Sequence, residues 1–134
     1  YIEMEYEVLT PGYVLAPHFH LVDDEGTLIF ITQDLDPQWR RRPRPVGHYV
    51  SRVEIPGNLL TEGTVFVGCH CITLAPDILQ FSAPEAIAFH VIDSHDGDSA
   101  RGDYVGKMPG AIRPLLNWST TLTDSICLGP SDYF

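Results

Sequence analysis

The residues best suited to binding chemistry in this sequence are arginines and aromatic side chains that lie close together in one segment. Four of the eight basic residues fall within DPQWRRRPRPVGHY, residues 36–49. They are Arg40, Arg41, Arg42 and Arg44. Trp39 precedes them and Tyr49 follows them. Guanidinium groups pair with carboxylates and phosphates, and flat aromatic rings cover the apolar faces of sugars. The segment therefore predicts a loop that binds a sugar or an anionic group, or a loop ordered by pairing of its arginines with the protein's own acids.

Other residues of the same chemical kind occur in loops and at predicted strand ends. Carboxylates, amides and guanidiniums satisfy sugar hydroxyls, while aromatic rings stack on the sugar. The candidate carbohydrate contacts are Trp39, Arg40, Arg42, Tyr49, Asp103 and Tyr104, and residues of the same type are Asn58, Asn117 and Trp118. Tyr49 and Trp118 are equally suited to a hydrophobic core, so residue type alone leaves their role open.

Two histidines give a metal-dependent alternative. His18 and His20 are two residues apart, which on a strand puts both on one face. Many metal-dependent double-stranded β-helix enzymes hold a metal with such a pair, but no carboxylate follows His20 at a spacing that completes the site. The acidic segment DSHDGDSARGD, residues 93–103, lacks the glycine and the final glutamate of a calcium loop. The sequence therefore favours histidines without a metal ion, and no metal or cofactor is expected.

Sequence patterns for catalysis are not found either. The segment GDYVGKMPG, residues 102–110, contains a lysine but lacks the spacing of a phosphate-binding loop, and no serine occurs in a G-x-S-x-G pattern. We therefore expect a binding domain without catalytic residues.

The charge and the cysteines limit the partners and the compartment. Eighteen acidic residues against eight basic ones give a formal net charge of −10. A field of this sign repels polyanions, so nucleic acids and anionic membranes are disfavoured. Cys69 and Cys71 are only two residues apart, and Cys127 has no obvious partner. Three reduced cysteines indicate a cytosolic protein.

The elements that would position these residues are almost all strands. Alternation of apolar and polar residues, or a short apolar run, marks six segments. They are residues 2–8, 16–23, 27–34, 47–55, 64–74 and 86–93. The segment PDILQFS, residues 76–82, is compatible with one helical turn. From residue 93 onward the pattern dissolves into an irregular tail, with RPLLNWS, residues 113–119, as its apolar anchor. Short strands punctuated by glycine and proline predict an all-β antiparallel sandwich of immunoglobulin or jelly-roll type.

Three segments carry a resemblance to a known family. They are residues 36–68, residues 84–93 (PEAIAFHVID) and residues 101–119 (RGDYVGKMPGAIRPLLNWS). Their most specific element is a strand that ends in IPGNLL, the turn TEG, a long strand and then FHVID. In this order they resemble the C-terminal domain of the ATPase subunit of polysaccharide ABC exporters, the Wzt type. The resemblance covers nearly the whole chain.

The resemblance implies a fold, partners and a function. The fold would be an immunoglobulin-like β-sandwich in one domain, residues 1–134, joined in a longer chain to a nucleotide-binding domain. Two copies would form a homodimer, in which C-terminal segments can be exchanged between subunits. The domain would bind an undecaprenyl-linked O-antigen or related polysaccharide and present it for ATP-driven export. It would work in the cytoplasm at the inner membrane face, where the ATPase meets the membrane permease subunit.

Two other functions remain open on the sequence. One is the metal-dependent double-stranded β-helix enzyme that would use His18 and His20. The other is a purely structural dimerisation domain of the exporter ATPase, which touches no sugar. The family's ligand contacts cannot be transferred residue by residue, so the candidate carbohydrate contacts rest on chemistry alone.

Overall fold

The fold consists of six strands joined by turns and loops. The computed structural model describes residues 1–124 of the chain, and no helix occurs among them. The strands are β1 (Ile2–Val8), β2 (Leu15–Asp23), β3 (Leu28–Gln33), β4 (Gly47–Val53), β5 (Gly63–Thr73) and β6 (Ile78–Val91). They form two antiparallel sheets, β1-β4 and β3-β2-β5-β6. The predicted all-β antiparallel sandwich is confirmed.

The two sheets pack through the apolar residues that alternation places inward. In β1, Ile2 and Met4 are buried, while the glutamates between the apolar positions are exposed. Ile2 and Met4 form one core cluster with Phe19 and Leu21 of β2 and with two inward valines of β5, Val65 and Val67. Full burial of such a side chain contributes about 1.5–3 kcal/mol, so this cluster is the main source of stability.

The register of β2 and β5 sends their histidines to the opposite face. His18 is paired with His70, and His20 is paired with Gly68. Because Phe19 and Leu21 face the core, His18 and His20 project from the outer face of the four-stranded sheet. His70 projects from the same outer face, between the inward-facing Cys69 and Cys71. Both cysteines are free thiols, whereas Cys127 lies outside the described residues.

The helical turn considered for residues 76–82 is wrong, because this segment is part of a hairpin. β6 begins at Ile78 and continues the antiparallel pairing of β5, in which Thr73 is opposite Ile78. The Thr73 hydroxyl donates to the Pro76 carbonyl at 2.9 Å and accepts from the Ile78 backbone N–H at 3.2 Å. These bonds close the hairpin in the four residues between the strands, which leaves no length for a helical turn.

Residues 92–124 contain no strand, in agreement with the predicted irregular tail. Two buried arginines hold its first part on the sandwich. Arg101 lies 2.6 Å from Glu62 and 3.1 Å from Asp93, and Arg113 pairs with the same Glu62 carboxylate. The end of the tail lies outside the described residues.

The apolar anchor predicted within residues 113–119 is wrong. Leu115, Leu116 and Trp118 are exposed, and only Arg113 of this segment is buried. The segment is held instead by the Arg113 ion pair and by backbone hydrogen bonds, in which Arg113 donates to the Leu59 carbonyl and Leu115 to the Asn58 carbonyl. Polar contacts, and not apolar packing, therefore attach residues 113–119 to the sandwich.

Candidate functional site

A groove of about 300 Å³ opens between β4 and the end of β3. Met4 and Phe19 of the core form part of its lining, and polar side chains from the ends of several elements complete it. We call it the Trp39 groove and define it by Asp34, Trp39, Arg44, Tyr49 and Ser51. It lies where the loop between β3 and β4, which contains the arginine cluster, returns to the sandwich.

Two aromatic rings form a corner of this groove. The Trp39 and Tyr49 ring centroids are 5.4 Å apart, and the rings are nearly perpendicular at 81°. Tyr49 is held on its other side by Tyr6, whose ring stacks on it at 5.7 Å, and its hydroxyl donates to the Pro45 carbonyl at 2.7 Å. The Trp39 backbone N–H donates to the Asp36 carbonyl at 2.9 Å, which fixes the turn that carries the indole. The rings are therefore positioned before any ligand binds.

A buried arginine supports the corner from below. Arg44 is only 2% exposed and lies 3.0 Å from the Asp34 carboxylate. It also donates to the Tyr6 hydroxyl, and its guanidinium carbon lies 5.9 Å from the Trp39 ring centroid. Its Nε has no hydrogen-bond partner within the described part of the chain. Asp34 neutralises the guanidinium. Arg44 therefore joins its loop to both sheets, through Tyr6 of β1 and through Asp34 at the end of β3.

The polar groups around Arg44 are fixed by one another. Asp34 accepts hydrogen bonds from the Ser51 hydroxyl at 3.2 Å and from the Asp36 backbone N–H at 3.0 Å. Burial raises the pKa of the Tyr6 hydroxyl, which therefore stays protonated at physiological pH. The wall of the groove thus combines a charged pair and hydroxyl groups beside two aromatic faces. This combination can exchange hydrogen bonds with sugar hydroxyls while a ring stacks on the sugar.

The other arginines of the cluster behave differently from Arg44. Arg40, Arg41 and Arg42 are all exposed and belong to the same loop as Trp39, although none of them lines the groove. Among residues 1–124 no ion pair involves these three side chains. Pairing with the protein's own acids therefore describes Arg44 only, and three exposed positive charges remain beside the groove.

A solved structure described as the C-terminal domain of Wzt matches this chain. The TM-score is 0.65 at 14% sequence identity, and the match covers 90% of this chain and 68% of that chain. This chain has the fold of the Wzt C-terminal domain. The resemblance drawn from the sequence segments is thus confirmed for the fold, and at this identity the match assigns no ligand.

Two other comparisons and one property of the chain complete this result. No family model and no curated protein matches the sequence. Within residues 1–124 no helix has the length and apolar character needed to span a membrane.

The structure places four of the six candidate carbohydrate contacts outside the Trp39 groove, and two of these four lie in the tail. Asp103 and Tyr104 lie in the tail, where the Tyr104 carbonyl accepts a hydrogen bond from Arg101 at 2.8 Å, and neither lines the Trp39 groove. Trp118 is 89% exposed in the same tail, which excludes the core position considered for it. Of the six candidates, only Trp39 and Tyr49 meet in one groove.

Sequence reasoning missed Asp34, Arg44 and Ser51 as groove residues. Asp34 directly follows β3 and Ser51 lies within β4, so only the packing of one sheet on the other brings them together. A signal was available for Arg44 alone, because it is the one arginine of the cluster that stands between two prolines.

A second cavity, of about 590 Å³, lies between β1, β6 and the acidic loop after β6. It is larger than the Trp39 groove, but the carboxylates of Asp93 and Asp96 in its lining are occupied within the protein. The Asp93 carboxylate accepts hydrogen bonds from the Ser99 hydroxyl at 2.8 Å and from the Arg101 guanidinium. The pKa of Asp93 is lowered, and the hydrogen bond from the His95 backbone N–H is the largest cause. The Asp96 carboxylate likewise accepts from the Asp98 backbone. We therefore assign this loop a structural role. The Asp34 carboxylate of the Trp39 groove is occupied in the same way, so we favour that groove as the site for its Trp39–Tyr49 pair.

The histidines do not form the interior metal site of the double-stranded β-helix alternative. Their ring centroids lie 5.3 Å apart for His18 and His20, 5.4 Å for His18 and His70, and 4.2 Å for His20 and His70. All three rings are on the outer face of the sheet, away from the space between the sheets. As the side chains lie, residues 1–124 contain no group of three or more His, Cys, Asp or Glu that could hold a metal ion.

Proposed function

We propose that this chain is a non-catalytic carbohydrate-binding domain, and that the Trp39 groove binds a cell-surface polysaccharide for export by an ABC transporter. The observation that carries the proposal is the perpendicular pair of Trp39 and Tyr49, held beside the buried Arg44–Asp34 ion pair. The shared fold with the Wzt C-terminal domain supports the same function.

The dimensions of the groove favour a short stretch of glycan. Its volume of about 300 Å³ lies at the small end of the usual range for ligand sites. One sugar face would stack on an aromatic ring, and its hydroxyls would exchange hydrogen bonds with Asp34 and Ser51. Each exchanged hydrogen bond returns only about 0.5–1.5 kcal/mol, because the sugar hydroxyls were already hydrated. The affinity of one groove for one sugar unit is therefore weak.

The exposed arginines extend this site toward charged glycans. Arg40, Arg41 and Arg42 are exposed positive charges on a chain with a net charge of −10. A carboxylate or phosphate on the sugar that enters the groove would meet them at once, because they follow Trp39 directly in the loop. Such groups bind guanidinium in paired hydrogen bonds of the charge-assisted kind.

The setting of the domain follows from the same proposal. The longer protein that contains this domain would be the ATPase of the exporter. Its nucleotide-binding domain would be joined to this domain in the cytoplasm, at the inner membrane face. An undecaprenyl-linked polysaccharide would be the ligand, and the membrane permease would be reached through the ATPase. Two domains in a homodimer would raise the effective affinity for a repeating polymer well above that of one groove.

The tail supports the homodimer within this proposal. Leu116, Trp118 and Leu122 are largely exposed in an extended segment without strand pairing. Exposed apolar residues that lie together in a short segment favour a surface that a partner covers. Exchange of this tail between two copies would bury these side chains.

Calorimetric titration with export-ready polysaccharide from the producing cells tests the proposal, with a foreign polysaccharide as the ligand control. We expect selective binding by the parent chain and its loss in Trp39→Ala. The matched control is Tyr104→Ala, which removes an exposed aromatic side chain outside the groove and should bind as the unchanged chain does. Absence of binding by a folded dimer would overturn the proposal and favour a structural dimerisation domain.

A further inference from the structure

Three imidazole rings cluster on the outer face of the four-stranded sheet. None of them lines the Trp39 groove. His18 and His20 come from β2, and His70 comes from β5. Register places His18 directly opposite His70, and His20 opposite Gly68. This crowding removes part of the hydration of His20 and His70.

The spacing of the rings is close to that of a three-histidine metal site. Tetrahedral zinc binds imidazole nitrogen at about 2.0–2.1 Å, and a ring centre lies about 1.1 Å beyond the nitrogen, so ligating rings have centroids about 5.2 Å apart. The two distances that involve His18 are 5.3 and 5.4 Å. The distance between His20 and His70 is 4.2 Å, so this pair is about 1 Å too close. That is why the nitrogens do not converge on a metal position as the side chains lie.

Metal binding would require the His20 ring to rotate away from His70. No hydrogen bond of the His20 ring is described among residues 1–124, so its rotation breaks no such contact there. The neighbouring strand position is Gly68, which presents no side chain to His20. The Nε2 atom of His70 lies only 2.8 Å from the point where a Cβ on Gly68 would stand. The Pro84 carbonyl oxygen is closer still to that point, at 2.6 Å, so glycine at this position makes room for the Pro84 backbone as well as for the His70 ring.

The rings of the other two histidines are each held by a partner on Nδ1. Nδ1 of His18 donates to the Ala16 carbonyl at 2.9 Å, which leaves the lone pair on Nε2. Nδ1 of His70 lies 2.9 Å from the Ser82 hydroxyl. A hydrogen bond donated by Nδ1, as in His18, presents Nε2 as the ligand atom, and the Ser82 hydroxyl can accept the same bond from Nδ1 of His70.

The electrostatics of the cluster agree with this geometry. Burial, followed by the neighbouring imidazoles, lowers the pKa of both His20 and His70. A lowered pKa favours the neutral ring, which is the form that binds a metal.

We propose that His18, His20 and His70 form a binding site for a divalent transition-metal ion of the zinc class on the outer face of the sheet. Imidazole ligands suit zinc, nickel and copper, and the tetrahedral spacing favours zinc among them. Water would fill the fourth position. The bound ion would join β2 to β5 and stabilise the sheet, and this role is independent of glycan binding.

The test is titration of the chelator-treated chain with Zn²⁺ by calorimetry and with Co²⁺ by visible absorption. We expect one ion per chain and a tetrahedral Co²⁺ spectrum, with affinity at least tenfold lower in His20→Ala and in His70→Ala. His90→Ala is the matched control, because His90 lies on β6 of the same sheet and outside the cluster. This variant should bind as the parent chain does.

The melting temperature gives a second measurement that separates binding at this site from adventitious binding. Zn²⁺ should raise the melting temperature of the parent chain and of His90→Ala, and leave that of His20→Ala unchanged. Absence of one-to-one binding would overturn the proposal. Equal affinity in the parent chain and in both cluster variants would overturn it as well, since the ion would then be bound elsewhere.

Discussion

Substitution of Arg44 by methionine should destabilise the fold more than any surface arginine substitution. Arg44 is the side chain that connects the loop, β1 and the end of β3, through Tyr6 and Asp34. Methionine keeps much of the apolar stem and removes the charge and all hydrogen bonds. Asp34 then stays in place without its ion-pair partner.

The expected loss in the free energy of unfolding is about 2–3 kcal/mol. Breaking a buried ion pair by removing one partner costs about 3–5 kcal/mol. The lower end applies, because Asp34 is 17% exposed and recovers part of its hydration. The Nε of Arg44 is buried and has no hydrogen-bond partner within the described residues, which destabilises the folded state. Removal of this atom by the substitution therefore offsets about 1 kcal/mol of the loss.

Urea unfolding of the parent chain and of Arg44→Met measures this loss directly. The matched control is Arg52→Met, which removes an exposed pair with Glu3 at 3.4 Å and should cost no more than about 1 kcal/mol. Combining Arg44→Met with Asp34→Ala should cost less than the sum of the two single changes, because both remove the same pair. A loss in the free energy of unfolding below about 1 kcal/mol for Arg44→Met would refute the claim that Arg44 holds the loop to both sheets.

Three further predictions concern charge and burial. Arg40→Ala or Arg42→Ala should weaken binding of an acidic glycan several-fold and leave a neutral glycan unaffected, as calorimetry in low salt would show. Equal losses for both glycans would contradict an electrostatic role. Cys71 should be alkylated more slowly than Cys69 in the folded chain, because Cys71 is buried and burial raises the pKa of its thiol, whereas Cys69 is only partly buried. Mass spectrometry reads both sites, and labelling of Cys71 as fast as that of Cys69 would contradict this. The tail should loosen in acid, because hydrogen bonds, the His95 backbone N–H first, lower the pKa of Asp93. That stability is complete above the unfolded value of about 3.9 and disappears as pH falls through the lower folded value, which hydrogen exchange of the tail would detect.

The strands could be predicted from the sequence because their signal is local. Alternation in residues 2–8 and the apolar run in residues 64–74 need no knowledge of the partner strand. The helical turn at residues 76–82 failed because a hairpin depends on which residues oppose one another, such as Thr73 and Ile78. Propensity in a short segment does not contain that information.

The candidate site was predictable only in part, for a related reason. Trp39 and Tyr49 were identified by residue type and by their closeness in the chain. Asp34 joins Arg44 only because the end of β3 meets the returning loop, and His70 joins the other two histidines only through strand register. Contacts across sheets and strands depend on the whole fold, so single residues read in sequence did not reveal them.

The central claim is that the Trp39 groove binds the glycan, and the two indole N–H signals of the chain test it most directly. Only Trp39 and Trp118 carry an indole. Nuclear magnetic resonance spectra recorded during titration with the export-ready polysaccharide would follow both signals, assigned by Trp39→Phe and Trp118→Phe. Our account predicts that the Trp39 signal shifts in proportion to binding and that the Trp118 signal does not. A shift confined to Trp118, or none at saturating polysaccharide, would contradict it.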